Sequence, residues 1–195
     1  MSTEAELVAG ALARAASRHF GGRATIEELR RESGGASRQT WSFDAVLDGH
    51  RHELILRRDP PTTTGDQSGS IARALEFRVL RAAFQSGVLA PEVLFELMAE
   101  DGLGEAYVMR RIGGIAIARK LLRDAPYAAA RPKIAGQLGA IAARIHAVDT
   151  ATLPTLAHRQ AADVIASLRG QLDALGTAQP VFELCLLYTS DAADE

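Results

Sequence analysis

Alternation of apolar and polar residues, the mark of a half-buried strand, stops near Met109 in this chain and does not return. Up to that point the pattern reads helix, three strands, helix, two strands. After Ile115 the composition shifts to alanine and the period becomes that of helices. Strands gathered in one part of a chain and helices in another argue for an α+β fold. The expected architecture is a small lobe built on an antiparallel sheet, residues 1–112 with a leading helix. A partial helical lobe over residues 113–184 is expected to follow, joined at residues 110–114.

Leu7, Val8, Ala11, Leu12 and Ala15 fall on one stripe of a helix over residues 4–19, which Gly21-Gly22 closes. Thr25–Arg31 reads as a strand, followed by the small-residue loop Ser33-Gly34-Gly35-Ala36-Ser37. Thr40–Leu47 and His52–Arg58 flank Asp48-Gly49, a pair that tolerates the positive φ of a two-residue hairpin turn. Pro60–Ser70 is rich in breakers, and a helix is expected over Ile71–Gln85. Val93–Leu97 and Ala106–Met109 read as strands on either side of Asp101-Gly102. Helices are expected at Ile117–Arg123, Arg131–Val148 and Ala161–Leu175. The second of these turns Ile134, Leu138, Ile141, Ala142 and Ile145 inward.

Charge narrows the function classes. The chain has 195 residues, 47% hydrophobic and 24% charged, which excludes a disordered, collagenous or disulfide-framework protein. A net charge of −2 shows no basic excess, so neither nucleic acid nor a membrane is expected as a partner. The opening MSTEAEL lacks a basic front, apolar runs fall short of the ~20 residues that span a bilayer, and Cys185 stands alone. A cytoplasmic protein is expected. No Cys/His spacing suggests a metal site. Of 22 basic residues 20 are arginine, leaving Lys120 and Lys133 as the lysines.

A glycine loop between antiparallel strands can cover phosphates with its backbone amides, although Gly34-Gly35 also reads as a plain turn. Arg57, at the end of Leu54-Ile55-Leu56, would place a cation under that loop, and Glu76 on the next helix could pair with it or stand as a surface charge. Tyr107-Val108-Met109 runs into a connector that could present backbone groups to a purine ring. Period two puts Arg58 on the face opposite Arg57, where it reads as a solvated strand end. Asp44 and Glu53 read as outward strand residues, and Trp41 as core or as a lid. His146 reads as a packed or capping residue, and Asp149 as the start of a turn.

In this order, these segments resemble the small lobe of the kinase-like phosphotransferases, the aminoglycoside phosphotransferase superfamily. ESGGASRQTWSF is similar to its phosphate loop, LILRR to its third strand, and LEFRVLRAAFQSGVLAPEVL to its Glu-bearing helix and the strand after it. YVMRRIGG resembles its hinge and QLGAIAARIHAVDT the long helix that opens its large lobe. The flavour is that of the kinase-like domain of acyl-CoA dehydrogenase family members. The resemblance implies a protein-kinase-like fold and ATP as cofactor, with Mg²⁺ expected only in a full-length protein. It also implies γ-phosphoryl transfer to a hydroxyl of a small molecule. Gly34, Gly35, Ala36 and Ser37 would cradle phosphates. Arg57 would stand where the family generally has a lysine and pair with Glu76, and Met109, Arg110 and Arg111 would line the adenine pocket.

The family's H-G-D-x-x-x-x-N loop is missing. None of His19, His50, His52, His146 and His158 has Asp two places later, and in His158-Arg159-Gln160 the glutamine cannot act as a base. No catalytic residue is therefore expected. The ending CLLYTSDAADE, residues 185–195, reads as a non-native tail without helical continuation, similar to translated adapter sequence at the end of a truncated gene. Truncation would leave the helix 131–148 with an uncovered apolar face. A nucleotide-binding pseudokinase or interaction module without catalysis is the alternative reading.

Overall fold

The first helix starts at Thr3 because two side chains satisfy exposed donors reciprocally. The Glu6 amide donates to Thr3 Oγ1 at 3.3 Å and the Thr3 amide to Glu6 Oε2 at 2.8 Å. The computed structural model describes residues 3–32, 38–59, 71–115, 117–155 and 160–193. The expected phosphate loop, Gly34, Gly35, Ala36 and Ser37, lies outside the described residues, as do Pro60–Ser70 and His158-Arg159. Residues 1–154 form one compact unit and residues 155–195 a second.

In the first unit, α1 (Glu4–Phe20) ends at Gly21, whose φ of 78° suits glycine. Strands follow at β1 (Thr25–Arg31), β2 (Gln39–Leu47) and β3 (His50–Arg58). Asp48 and Gly49 take φ of 46° and 78°, the positive pair that matches a tight turn to the twist of its strands. Next come α2 (Arg73–Gln85), β4 (Val93–Glu96) and β5 (Ala106–Arg110). After them lie α3 (Ala118–Arg123) and α4 (Arg131–His146). The second unit pairs α5 (Ala161–Ala174) with α6 (Pro180–Ala193). A five-stranded antiparallel sheet and separate helices make the fold α+β, as expected.

The sheet order is β1-β2-β3-β5-β4, so β5 inserts between β3 and its own sequence neighbour. One face carries Trp41, Phe43, Ala45, Leu54, Leu56 and Val108 and packs on Val8, Ala11, Leu12 and Ala16 of α1. Trp41 is thus core. At the far end of α1, Arg18 Nη2 meets Asp101 Oδ2 at 2.5 Å, tying the helix to the turn between β4 and β5. The other face receives α2, whose Phe77 and Leu80 pack on Val93, Tyr107 and Met109.

Several expectations need correction. Arg58 is 4% exposed, not solvated: its Nε donates to Gln39 Oε1 at 2.7 Å and its Nη2 to Glu4 Oε1 at 2.5 Å. Arg58 does lie on the face opposite Arg57, but that face is the one α1 covers. Asp44 is 2% exposed because arginines close over it, whereas Glu53 does face outward. Helix α2 begins at Arg73 instead of Ile71, which stays exposed. No residue of α4 is buried, and Leu138 and Ile145 are 60% and 52% exposed. An apolar period creates a face but not the partner that covers it. His146 is exposed in the last turn of α4, while Asp149 opens a turn by accepting from the Ala151 amide at 2.9 Å. Helix α6 runs unbroken through Cys185, where the helical pattern was expected to stop.

Candidate functional site

Antiparallel register fixes where Arg57 points. It stands opposite Thr40 on β2 and Tyr107 on β5, on the face that α2 covers in part. Its Nε lies 3.1 Å from Glu76 Oε1, so the structure brings together the two residues that the sequence paired. Glu76 is shared: its Oε2 pairs with Nη1 of Arg73, one helical turn earlier. Arg73 Nε is also 3.3 Å from Asp59 Oδ1, and Arg38 Nε reaches the same oxygen at 3.4 Å. The Arg73 amide donates to Glu105 Oε2 at 3.1 Å, and its Nη2 donates to the carbonyl of Ile71.

Burial grades these groups. The Arg73 side chain is 1% exposed, Glu76 17% and Arg57 31%, so the cluster is dry at Arg73 and wet at Arg57. Burial pulls the Arg73 guanidinium below its ordinary value, the charge of Arg38 adds to this, and Asp59 opposes it. The Tyr107 phenol is pushed up by burial against the pull of Arg57, Arg73 and Arg38. Its hydroxyl is buried and, among the described residues, makes no hydrogen bond. The geometry offers an anion the outer nitrogens of Arg57, backed by a carboxylate that a second arginine steadies.

Past β5 the chain enters the connector that the sequence pointed to. Met109 packs with Phe77 and Tyr107. The Arg110 amide donates to the Glu92 carbonyl at 2.9 Å, while its guanidinium pairs with the Glu92 carboxylate. The Arg111 amide donates to the Glu53 carbonyl at 3.0 Å. Arg111 Nη2 donates to Asp44 Oδ1 at 2.8 Å and Glu53 Oε1 at 2.5 Å, and these bonds, Glu53 foremost, hold the guanidinium above its ordinary value. Asp44 Oδ2 accepts from Arg51 Nη1 at 2.6 Å, and Arg51 Nη2 donates to Glu27 Oε2 at 2.8 Å. Both connector amides, those of Arg110 and Arg111, are therefore engaged by neighbouring backbone.

Asp44, Asp59 and Arg73 were missed by sequence reasoning. Arg73 carried a readable signal, a basic residue three places before Glu76 on a helix. Asp44 shares a strand face with Arg51 and Arg57 only through register, which alternation does not supply. Among the described residues no group of three His, Cys, Asp or Glu side chains could hold a metal ion, and no helix is long and apolar enough to cross a membrane.

A family model described as "Phosphotransferase enzyme family" matches residues 28–184. The match begins within β1 and leaves α1 outside it. No curated protein matches the chain.

Proposed function

This chain belongs to the phosphotransferase enzyme family, and from that premise we propose that its kinase-like sheet and α2 bind the phosphates of ATP. The single observation that carries this reading is the Arg57–Glu76 pair, 3.1 Å apart through Nε. A lysine has one nitrogen to divide between a carboxylate and a phosphate. A guanidinium has three, so Arg57 can hold Glu76 at Nε and turn Nη1 and Nη2 to an anion. Gly34, Gly35, Ala36 and Ser37 would add backbone amides. Met109, Arg110 and Arg111 would flank the base through groups other than the two engaged amides.

Within a complete phosphotransferase, ATP supplies the γ-phosphoryl group to a small-molecule hydroxyl, with Mg²⁺ neutralising the developing charge. The residues here bind and orient. The bond from γ-phosphorus to the bridging oxygen breaks to give ADP, the acceptor oxygen takes its place, and the acceptor proton needs a carboxylate to receive it. The family's His-Gly-Asp pattern, which would supply that carboxylate, is not in this sequence, so we read the chain as binding ATP without turnover. The same observation favours a second reading, a nucleotide-binding interaction module.

Titration with ATP is expected to saturate, and Arg57→Ala is expected to weaken binding roughly tenfold or more, the worth of a charge-assisted hydrogen bond. No saturable binding, or binding indifferent to Arg57, would overturn the proposal. Mg²⁺-dependent transfer of label from ATP to an alcohol by this chain would overturn the absence of turnover.

A further inference from the structure

Glu76 has two oxygens, and a carboxylate facing a lone arginine tends to engage it in fork-to-fork fashion, with two parallel hydrogen bonds. That arrangement would draw one of the outer nitrogens of Arg57 into the ion pair. Here it does not form: Oε1 stands beside Arg57 Nε as an ion pair without a hydrogen bond, and Oε2 is ion-paired with Nη1 of Arg73. Arg73 is the better buried of the two arginines, 1% exposed against 31%, and it is held from two further sides. Asp59 Oδ1 lies 3.3 Å from its Nε and the Ile71 carbonyl accepts from its Nη2. A guanidinium anchored in this way has little freedom to leave, so the second oxygen of Glu76 stays occupied.

We propose that Arg73 is a positioning residue that keeps Glu76 from closing both oxygens on Arg57, and so holds the outer nitrogens of Arg57 ready for an anionic phosphate chain. The inference rests on the functional reading above and deepens it by naming the residue that makes an arginine workable at that position. Asp59 extends the arrangement. The same oxygen that holds Arg73 also holds Arg38, so the residue just after the glycine loop and the first turn of α2 share one carboxylate.

The test compares ATP with adenosine as probes, since only ATP carries phosphates. In the unmodified chain ATP is expected to bind more tightly than adenosine. Arg73→Met keeps the length of the stem and removes the charge, freeing Glu76 to engage Arg57 with both oxygens. The preference for ATP should fall roughly tenfold while adenosine affinity stays unchanged. Adding Glu76→Gln to Arg73→Met should restore most of the preference, because a neutral amide competes poorly for Arg57. A merely structural role for Arg73 would lower affinity for both probes, and Glu76→Gln would not rescue it.

Since Arg73 is buried, a measurement on the unmodified chain accompanies the variants. On adding tripolyphosphate, the nitrogen resonances of the Arg57 outer groups should shift while its Nε–H signal holds. A shift at Nε instead would show Arg57 leaving Glu76 and would overturn the proposal. No preference for ATP in the unmodified chain overturns the functional reading and this inference with it. A preference that survives Arg73→Met overturns this inference alone.

Discussion

Arg57 and Arg58 are neighbours in sequence, yet the structure gives them opposite work. Arg57 is partly solvated and shares its carboxylate with Arg73, so Arg57→Ala should change stability by less than about 1 kcal/mol while weakening the proposed ATP binding roughly tenfold or more. Arg58 lies under α1 and satisfies Gln39 and Glu4, with burial lowering its guanidinium below the ordinary value. Arg58→Ala strands the buried Gln39 and should cost about 2–3 kcal/mol in denaturant unfolding, leaving the site face intact. Urea melts of both variants beside ATP titrations test the contrast. His19 supplies a pH dependence. Burial, with the charge of His52, lowers its pKa, while its ring lies 4.7 Å from Phe20 and 4.6 Å from Phe95. Below about pH 6.5 the unfolded chain takes up the proton first, so stability should fall with pH until the folded form protonates as well. His19→Phe keeps the ring contacts and should flatten that part of the stability–pH curve. At this scale the sequence disclosed the Arg57–Glu76 pair, because both residues sit at readable places on an apolar strand and a helix. It hid Asp44, whose burial depends on Arg51 and Arg111 arriving from two other segments.

Each strand and helix through α5 was legible to within about two residues, since alternation, helical period and the Asp48-Gly49 turn are local signals. What covers each element was not. Helix α1 precedes the family match, yet it buries Val8, Ala11 and Leu12 completely against the sheet. Removing residues 1–22 should therefore expose Trp41, Phe43, Leu54 and Leu56. The remaining chain should bind a hydrophobic dye and lose its cooperative melt; a soluble, cooperative product would refute this role for α1. The connector after β5 is fastened by Asp44, which accepts from Arg51 and Arg111 together. Asp44→Asn weakens both bonds, so the Arg111 amide, now donating to the Glu53 carbonyl, should exchange with deuterium faster. Unchanged exchange at Arg111 would show that the sheet alone holds the connector.

For the molecule as a whole, Arg57, Glu76, Arg73, Asp59 and the connector all lie within residues 1–154, the first compact unit. That unit expressed alone should retain the ATP affinity of the full chain in titration; a loss would show that residues 155–195 contribute to binding. Exposed apolar residues include Leu138 and Ile145 of α4 and Val181, Phe182 and Leu184 of α6. The sequence by itself determined the order of strands and helices through α5, their bounds to within about two residues, and that the strand ending at Arg58 carries arginines and no lysine. These follow from period, turn chemistry and the placing of two lysines far from that strand. Only the tertiary structure decided that β5 enters between β3 and β4, that α1 closes the face holding Arg58, and that Glu76 divides its oxygens between Arg57 and Arg73. Local pattern fixes the direction in which a side chain points, whereas its burial and charge partners come from segments distant in sequence, which only the fold brings into contact.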